Sequence, residues 1–232
     1  TARSALAYRF QTHKYSLTLQ KMAEICSPRN THPLNFSNIS WEAVNSALGD
    51  GAGNIVFPKS NYYYKYVNRS AGTRVYYSAA VLFSYDEVYL NRLEAYLMSG
   101  NLDQFRRDLF TYLIPKTHNS SRPNEAYPFP RLTFERYMTQ AALDRRYQGR
   151  GVDFDPSYPL TTRQREWLQA VVDIRRVEFV QEGLRWFDNK RLGMKVIHMD
   201  DLTPMELTKN DPRRELQLPL NVLEFGVTPN PR

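Results

Sequence analysis

Apolar residues recur every three or four positions through much of the second half of the chain, which is the spacing of one face of an amphipathic helix. One such run contains Leu102, Phe105, Leu109 and either Tyr112 or Leu113. A second run predicts a single apolar face made of Ile174, Val177, Val180, Leu184 and Phe187. Residues 133–147 show a third run and are predicted to form one helix. The pattern therefore predicts a mostly helical protein.

Capping residues indicate where two of these helices begin and end. Ser84 and Glu87 have the spacing of a capping box, in which the hydroxyl and the carboxylate satisfy free backbone donors at a helix start. The helix that follows is expected to run to Ser99 and to stop at Gly100. A second helix comes directly after it, so residues 84–113 resemble one tetratricopeptide-like helical hairpin. A single hairpin cannot bury its own apolar face and needs partner helices.

The segment 61–83 is the best candidate for β-structure, because it is rich in tyrosine and valine and is divided by a Ser-Ala-Gly turn. We expect a β-hairpin, with Tyr62, Tyr64 and Tyr66 on one face and Tyr63 on the other. The 14 prolines, 16 tyrosines and 12 phenylalanines of the chain predict long ordered loops rather than disorder. The predicted fold class is mostly α, with tetratricopeptide-like helical hairpins, long ordered loops and a small β-hairpin.

Composition and charge narrow the classes of function. With 232 residues, of which 42% are hydrophobic, the chain can bury a sizeable core, and no apolar run approaches the length of a membrane helix. The net charge of +7 raises the question of nucleic-acid binding. A phosphate-binding surface more often shows a stripe of one sign, whereas these arginines occur as scattered pairs beside acids, so nucleic-acid binding is not expected. The pairs are Arg106-Arg107, Arg145-Arg146, Arg175-Arg176 and Arg213-Arg214.

Neither a metal site nor a cofactor is predicted. Cys26 is the only cysteine, which excludes a disulfide within the chain and a thiolate metal site. Asp153 and Asp155 flank a phenylalanine in a loop and have the chemistry of calcium ligands, but a solvated turn is expected there. The four histidines lie far apart without metal-ligand spacing, and they are His13, His32, His118 and His198.

The most specific pattern lies between Arg175 and Gly193 and reads RRVEFVQEGLRWFDNKRLG; we refer to it as the signature segment. The spacing of three between Arg175 and Glu178, and between Glu182 and Arg185, brings opposite charges together on a helix surface. Gly183 interrupts the run and indicates a bend or a close approach of another backbone. The residues alone therefore predict a buried helix that carries many charges, and no reaction.

This segment resembles the C-terminal signature of the SusD/RagB family, which are outer-membrane nutrient-binding lipoproteins of the Bacteroidetes. Two positions depart from the family pattern, since Ile174 stands where glutamate is common and Asn189 stands where leucine is common. The resemblance implies that residues 1–232 form one C-terminal SusD-like region, preceded in the full-length protein by an N-terminal helical part and a lipid anchor. It is carried by Arg175, Arg176, Glu178, Glu182, Gly183, Arg185, Trp186 and Asp188.

The function that this resemblance implies is the capture of glycans at the cell surface, on the outer membrane, for delivery to a SusC-like TonB-dependent transporter. It implies neither catalysis nor a cofactor. The transporter and the N-terminal region of the same protein would be the partners. Because some relatives handle peptides, a peptide ligand stays open, and so does a helical scaffold that docks a protein and has no small ligand of its own.

Sugar rings present C–H faces that stack on aromatic side chains, so exposed aromatic residues are the candidate ligand contacts. Trp41, Tyr62 and Tyr63 are the three that we select on chemical grounds. Trp167 and Trp186 lie in periodic helices and are expected in the core instead.

The best candidate pair for acid-base catalysis consists of Glu178 and Glu182, which lie about one helical turn apart, roughly the separation of carboxylates in retaining glycosidases. Neighbouring arginines would lower the pKa of both carboxylates, which leaves neither as a good general acid. Salt bridging is the expected role of this pair, and the chain is not predicted to be an enzyme.

Overall fold

A computed structural model of the chain describes residues 39–41, 48–49, 55–56, 62–78, 83–119, 133–179, 182–200 and 203–230. Helices dominate this part of the chain, which contains seven α-helices and four short pairs of antiparallel strands. The prediction of a mostly helical fold with a small β-hairpin is confirmed. The likeness to tetratricopeptide units stays a prediction.

The first two helices form the predicted hairpin. Helix α1 spans Tyr85–Met98 and helix α2 spans Leu102–Leu113. Ser84 Oγ accepts a hydrogen bond from the backbone N–H of Glu87 at 3.1 Å, which is one of the two bonds of the predicted capping box. The return bond from the Ser84 N–H to the Glu87 side chain is not found among the described residues. The reversal between the helices uses Gly100, whose φ of 77° suits a residue without a Cβ.

Residues 133–147 do not form the single helix that the sequence pattern predicts. The structure contains two helices instead, α3 at Phe134–Tyr137 and α4 at Gln140–Tyr147. Thr139 interrupts them because its backbone is extended, with a ψ of 153°. Its Oγ1 accepts a hydrogen bond from the N–H of Ala142 at 3.1 Å, so the residue caps a new helix rather than continuing the first one.

Helices α5 and α6 carry most of the signature segment. Helix α5 spans Thr162–Glu178, and helix α6 spans Leu184–Arg191. A complete capping box starts α5, in which Thr161 Oγ1 accepts from Gln164 N–H at 3.2 Å and Gln164 Oε1 accepts from Thr161 N–H at 3.0 Å. Gly183, with a φ of 81°, is the residue before α6 and divides the segment into two helices.

The predicted apolar face of the signature segment is therefore only half right. Ile174 and Val177 are buried in α5, and Leu184 at the start of α6 packs against the core in a partly buried position, but Phe187 in α6 is 64% exposed. A new helix begins after the left-handed residue Gly183, so the periodicity of α5 does not continue into α6. Val180 lies outside the described residues.

The β-hairpin forms where the tyrosine-rich segment predicts it. The strands that the structure describes are β1 Ile39–Trp41, β2 Leu48–Gly49, β3 Ile55–Val56, β4 Tyr62–Asn68, β5 Thr73–Ser78, β6 Thr117–Asn119, β7 Val196–Asp200 and β8 Thr203–Leu207. Strand β4 pairs with strand β5 in an antiparallel register that opposes Tyr64 to Tyr76 and Tyr66 to Arg74. The pairs β1–β6, β2–β3 and β7–β8 are also antiparallel. A short helix, α7, lies near the C-terminal end at Leu220–Leu223.

The hydrophobic core lies among α1, α2, α4 and α5. Trp167 of α5 is fully buried, as predicted, and its ring stacks on that of Phe105 with the centroids 5.6 Å apart. Its indole Nε1–H donates to Asp144 Oδ1 at 2.9 Å, which joins α5 to α4. The loss of such a side chain costs about 3 to 5 kcal/mol. Trp186, which was also expected in the core, is only half-buried.

Candidate functional site

The exposed face of the β4–β5 hairpin carries an aromatic and cationic cluster, formed by Tyr64, Tyr66 and Arg74. The two tyrosine rings meet edge to face, with centroids 5.4 Å apart and an interplanar angle of 90°. The guanidinium carbon of Arg74, opposite Tyr66 across the hairpin, lies 4.7 Å from the centroid of each ring. Tyr64 remains 48% exposed. Such a face offers ring surfaces and a charged hydrogen-bond donor to a ligand.

The three candidate ligand contacts selected from the sequence lie in two different strands, two of them in β4 and one in β1. Tyr62 and Tyr63 are the first residues of β4 and pair with Ser78 and Tyr77 of β5. Trp41 ends β1 and pairs with Thr117 of β6. Their side chains are outside what the structure describes, so their role stays a prediction.

The centre of the signature segment is a buried ion pair between Arg175 and Asp188. Arg175 Nε donates to both carboxylate oxygens of Asp188, at 3.0 and 2.9 Å. The two residues are only 5% and 1% exposed. Asp188 also accepts from Arg191 Nε at 3.0 Å. The sequence spacing pointed to Glu178 as the partner of Arg175, whereas the structure places Asp188 in that role and so connects α5 to α6.

Helix α1 joins the same network through two polar side chains. Arg175 Nη1 donates to Asn91 Oδ1 at 3.0 Å. Arg191 Nη1 forms an ion pair with Glu94. Three helices are therefore linked by charged hydrogen bonds around Asp188. Asn91 and Glu94 had no signal in the sequence, because they lie more than 80 residues away from their partners.

A second cluster surrounds Glu178 at the end of α5. Lys116 Nζ lies 3.0 Å from Glu178 Oε2 and 2.7 Å from Asp86 Oδ1, so one ammonium group bridges two carboxylates. Tyr112 Oη–H donates to Asp86 Oδ1 at 3.1 Å. Burial raises the pKa of Tyr112, and the charges of Glu178 and Asp86 raise it further. The tyrosine therefore acts here as a neutral donor, and the cluster ties α5 to the ends of α1 and α2.

A third cluster lies on the other side of α5, around the buried carboxylate of Asp173. Gln169 Nε2 donates to Asp173 Oδ1 at 2.9 Å, and Arg176 Nη2 lies 4.0 Å from the same oxygen. Burial raises the pKa of Asp173, an effect that the nearby charge of Arg176 partly offsets. Burial also lowers the pKa of Arg185, and the positive charge of Arg176 lowers it further. The Nη1 atom of Arg185 is buried and has no hydrogen-bond partner in the described part of the chain.

The remaining charged residues of the signature segment are less buried than Arg175 and Asp188. Arg176 is half-buried, and Glu182 is exposed. Glu178 and Glu182 are therefore in different surroundings, because the first is buried against Lys116 and the second faces solvent. An acid-base pair in retaining glycosidases requires two carboxylates that face one substrate.

The described residues contain no cluster of three or more metal-ligating side chains of the His, Cys, Asp or Glu type. Of the two aspartates weighed as calcium ligands, Asp155 pairs with Lys209, whose Nζ lies 3.2 Å from Asp155 Oδ2. Among the helices that the structure describes, none combines the length and the apolar character of a membrane-spanning segment.

Comparison with protein-family models, with curated proteins and with solved structures finds no match for this chain. The relation of the signature segment to the SusD/RagB family therefore stays a resemblance.

Proposed function

We propose that this protein is a SusD-like surface protein of the outer membrane that binds glycans without catalysis and passes them to a TonB-dependent transporter. Membership of the family and attachment to the outer membrane by a lipid anchor are parts of this proposal. The observation that carries glycan binding is the exposed face of the β4–β5 hairpin. The resemblance of the signature segment supports the delivery to a transporter.

The hairpin supports glycan binding because its exposure is hard to explain by folding alone. A two-stranded hairpin is marginally stable in water unless another surface covers it. Tyr64 nevertheless stays 48% exposed, and Val67 stays 67% exposed. An aromatic ring in that position offers a flat apolar surface to a sugar ring, and neighbouring polar groups can hydrogen-bond to its hydroxyls.

The geometry of the signature segment supports a non-catalytic role. Its most buried charged groups, Arg175 and Asp188, are used in bonds between helices. Glu178, the best candidate for an acid, is buried and paired with Lys116. The structure therefore uses this carboxylate in an ion pair that joins parts of the fold.

Calorimetric titration of the protein with neutral and acidic oligosaccharides and with short peptides tests this proposal. Binding of an oligosaccharide should be lost or weakened in Tyr64→Ala, Trp41→Ala or Tyr63→Ala without a fall in melting temperature. Phe225→Ala is the matched control, because Phe225 is an exposed aromatic residue, 85% accessible, in the C-terminal segment. Absence of heat with every oligosaccharide would refute glycan binding.

Two controls separate the alternatives. Heat with peptides alone would favour a peptide-binding relative. Release of sugar products that disappears in Glu178→Gln, with the fold intact, would show a hydrolase and contradict the non-catalytic proposal.

A docking scaffold is a second candidate, and one observation favours it. Phe83 and Tyr85, at the start of α1, are 77% and 73% exposed, and Val88 one turn later is 43% exposed. Contiguous exposed apolar side chains often mark a protein-protein contact. If the protein binds a purified transporter but no oligosaccharide, and Tyr85→Ser weakens that binding, the docking role is the better description.

A further inference from the structure

The β4–β5 hairpin has an unusual charge for this chain. The sequence contains no aspartate and no glutamate from residue 51 to residue 85, although 24 of its 232 residues are acids. The hairpin, residues 62–78, contains three cations, Lys65, Arg69 and Arg74, and no acid, which gives it a net charge of +3. Lys65 and Arg69 form no ion pair within the part of the chain that the structure describes. The hairpin therefore supplies no carboxylate of its own to balance its cations.

Two of these cations lie on an accessible surface together with apolar side chains. Lys65 opposes Val75 in the antiparallel ladder, so their side chains lie on the same face. Because side chains alternate along a strand, this face is opposite to that of the aromatic and cationic cluster. Val67 and Arg69 follow toward the turn. Val75 is 54% exposed and Val67 is 67% exposed, and both cations are exposed as well. We call these four residues the lysine–valine surface.

The turn at the end of the hairpin satisfies two of its own backbone donors. The N–H of Ala71 donates to Asn68 Oδ1 at 3.1 Å, and the N–H of Gly72 donates to the carbonyl oxygen of Arg69 at 3.2 Å. Backbone donors without a partner are costly to move from water toward hydrocarbon. Since these two are already bonded within the chain, the tip of the hairpin can approach a lipid surface at a lower cost.

We propose that the β4–β5 hairpin lies on an anionic lipid surface through the lysine–valine surface. Lys65 and Arg69 bind the negatively charged headgroups, and Val67 and Val75 contact the boundary between headgroups and acyl chains. Six of the 16 tyrosines of the chain lie between residues 62 and 77, and membrane interfaces are enriched in tyrosine. The contact orients the protein on the membrane, with the aromatic and cationic cluster on the side away from the lipid. This inference goes beyond the proposed glycan binding and does not depend on it.

A soluble polyanion is the other partner that the charge of the hairpin fits, but the valines argue against it. A nucleic acid in water binds cations through its phosphates and gains little from an exposed aliphatic side chain. A lipid interface attracts the cations and also buries apolar surface, so both kinds of side chain contribute to binding. The pairing of Lys65 with Val75 on one exposed face therefore favours a lipid surface.

Cosedimentation with lipid vesicles tests this inference. The 232-residue chain is mixed with vesicles of phosphatidylcholine alone, or of phosphatidylcholine and phosphatidylglycerol in equal amounts, at low and at high salt. We expect the protein to bind the mixed vesicles at low salt and to bind the neutral vesicles far more weakly. Binding to the mixed vesicles should weaken at high salt, because the charges on the hairpin are exposed and therefore screened.

Variants assign the binding to the lysine–valine surface. Lys65→Gln combined with Arg69→Gln should weaken binding to the mixed vesicles about 30-fold, since each cation near an anionic membrane contributes a factor of about 5. Val75→Thr keeps a β-branched side chain but replaces a methyl group with a hydroxyl, and it should weaken binding about 3-fold. Lys195→Gln combined with Arg136→Gln is the matched control, because it removes two exposed cations that lie outside the hairpin and should leave binding almost unchanged. A circular dichroism spectrum and a melting curve of each variant check that the fold is kept.

The outcomes are distinguishable. Absence of binding to the mixed vesicles, equal binding to both kinds of vesicle, or an equal loss in the control pair would overturn this inference. Unchanged binding of Val75→Thr would remove the reason for choosing lipid and would overturn it too. Tighter binding of an oligothymidylate or of polygalacturonate than of vesicles, lost in Lys65→Gln with Arg69→Gln, would assign the hairpin to a soluble polyanion. Absence of oligosaccharide binding in the calorimetric titration would refute the proposed function and leave this inference standing.

Discussion

Replacing Asp188 with asparagine tests whether the signature segment holds the helices together. The substitution keeps the size of the side chain but removes the negative charge that faces Arg175 and Arg191. Asp188 is 1% exposed and accepts three hydrogen bonds of 2.9 to 3.0 Å from the two arginines. Asparagine has one acceptor oxygen, and its NH2 group would face a guanidinium donor.

The expected loss is large because a buried cation remains without its partner. Breaking a buried ion pair by removal of one member costs about 3 to 5 kcal/mol, even where the intact pair contributes little net stability. For a chain of this size, each kcal/mol lowers the melting temperature by about 2 to 4 °C. We therefore expect a fall of about 6 to 20 °C. Urea unfolding followed by circular dichroism should show the same loss through a lower midpoint with an unchanged slope.

A matched surface variant supplies the comparison. Glu206 forms an ion pair with Lys195 at 2.9 Å, but both side chains are more than 40% exposed. Glu206→Gln should change the free energy of unfolding by about 1 kcal/mol or less. If Asp188→Asn lost no more than Glu206→Gln, Asp188 would not organise the helices, and our interpretation of the signature segment would be wrong.

Four further variants probe other features by urea unfolding. Gly193→Ala should cost about 2 to 5 kcal/mol, because its φ is 60° and a Cβ there would lie 2.1 Å from the carbonyl oxygen of Asp155. Gly149→Ala, with a φ of 69° but open space, should cost only about 1 to 2 kcal/mol, and equal losses would contradict the steric argument. Asp173→Asn should be more stable than the native protein at neutral pH. Burial raises the pKa of Asp173 in the folded protein, so the stability of the native protein falls as the pH rises from the unfolded value of 3.8 to the folded pKa. The extra stability of Asp173→Asn should therefore vanish on acidification. A stability difference that does not change with pH would refute this. Arg185→Met should stay within about 1 kcal/mol of the native protein or exceed it, because it removes the buried Nη1 donor, which has no hydrogen-bond partner among the described residues. A loss as large as that of Asp188→Asn would contradict this.

Local features of the fold were predictable from the sequence, since they depend on a few neighbouring residues. The caps at Ser84 and Thr161 and the tyrosine-rich hairpin are formed by interactions within a few positions, or across one turn. The break at Thr139 also depends on neighbouring residues, but the apolar pattern continues on both sides of it and therefore predicts a single helix. A threonine followed by a favourable helix start is a signal that could have been used.

Contacts between distant segments were not predictable from spacing. Arg175 has Glu178 one helical turn away, and the i, i+3 rule selects that partner. The actual partner, Asp188, lies beyond the break at Gly183, and its orientation depends on how α6 packs against α5. Periodicity describes one helix at a time, so it contains no information on the angle between two helices.

The same distinction between local features and contacts of distant residues applies to the candidate ligand surface. Alternation along β4 correctly places Tyr64 and Tyr66 on one face, as their ring contact requires. The contribution of Arg74 depends on the register of the hairpin, which opposes it to Tyr66. Arg74 stands alone in the sequence and not in an arginine pair, so no pattern of charges pointed to its place in the cluster.

The family resemblance and the candidate ligand surface therefore lie in different parts of the chain. The signature segment carries the family resemblance, yet its buried charges bind other helices, so its variants should change stability before they change affinity. The hairpin carries no part of that resemblance, and its exposed Tyr64 and Arg74 contribute little to the core, so their variants should change affinity and leave the melting temperature almost unchanged. A protein whose Tyr64 and Arg74 variants lose stability in proportion to affinity would have a hairpin that serves the fold, and the ligand surface would then have to lie elsewhere.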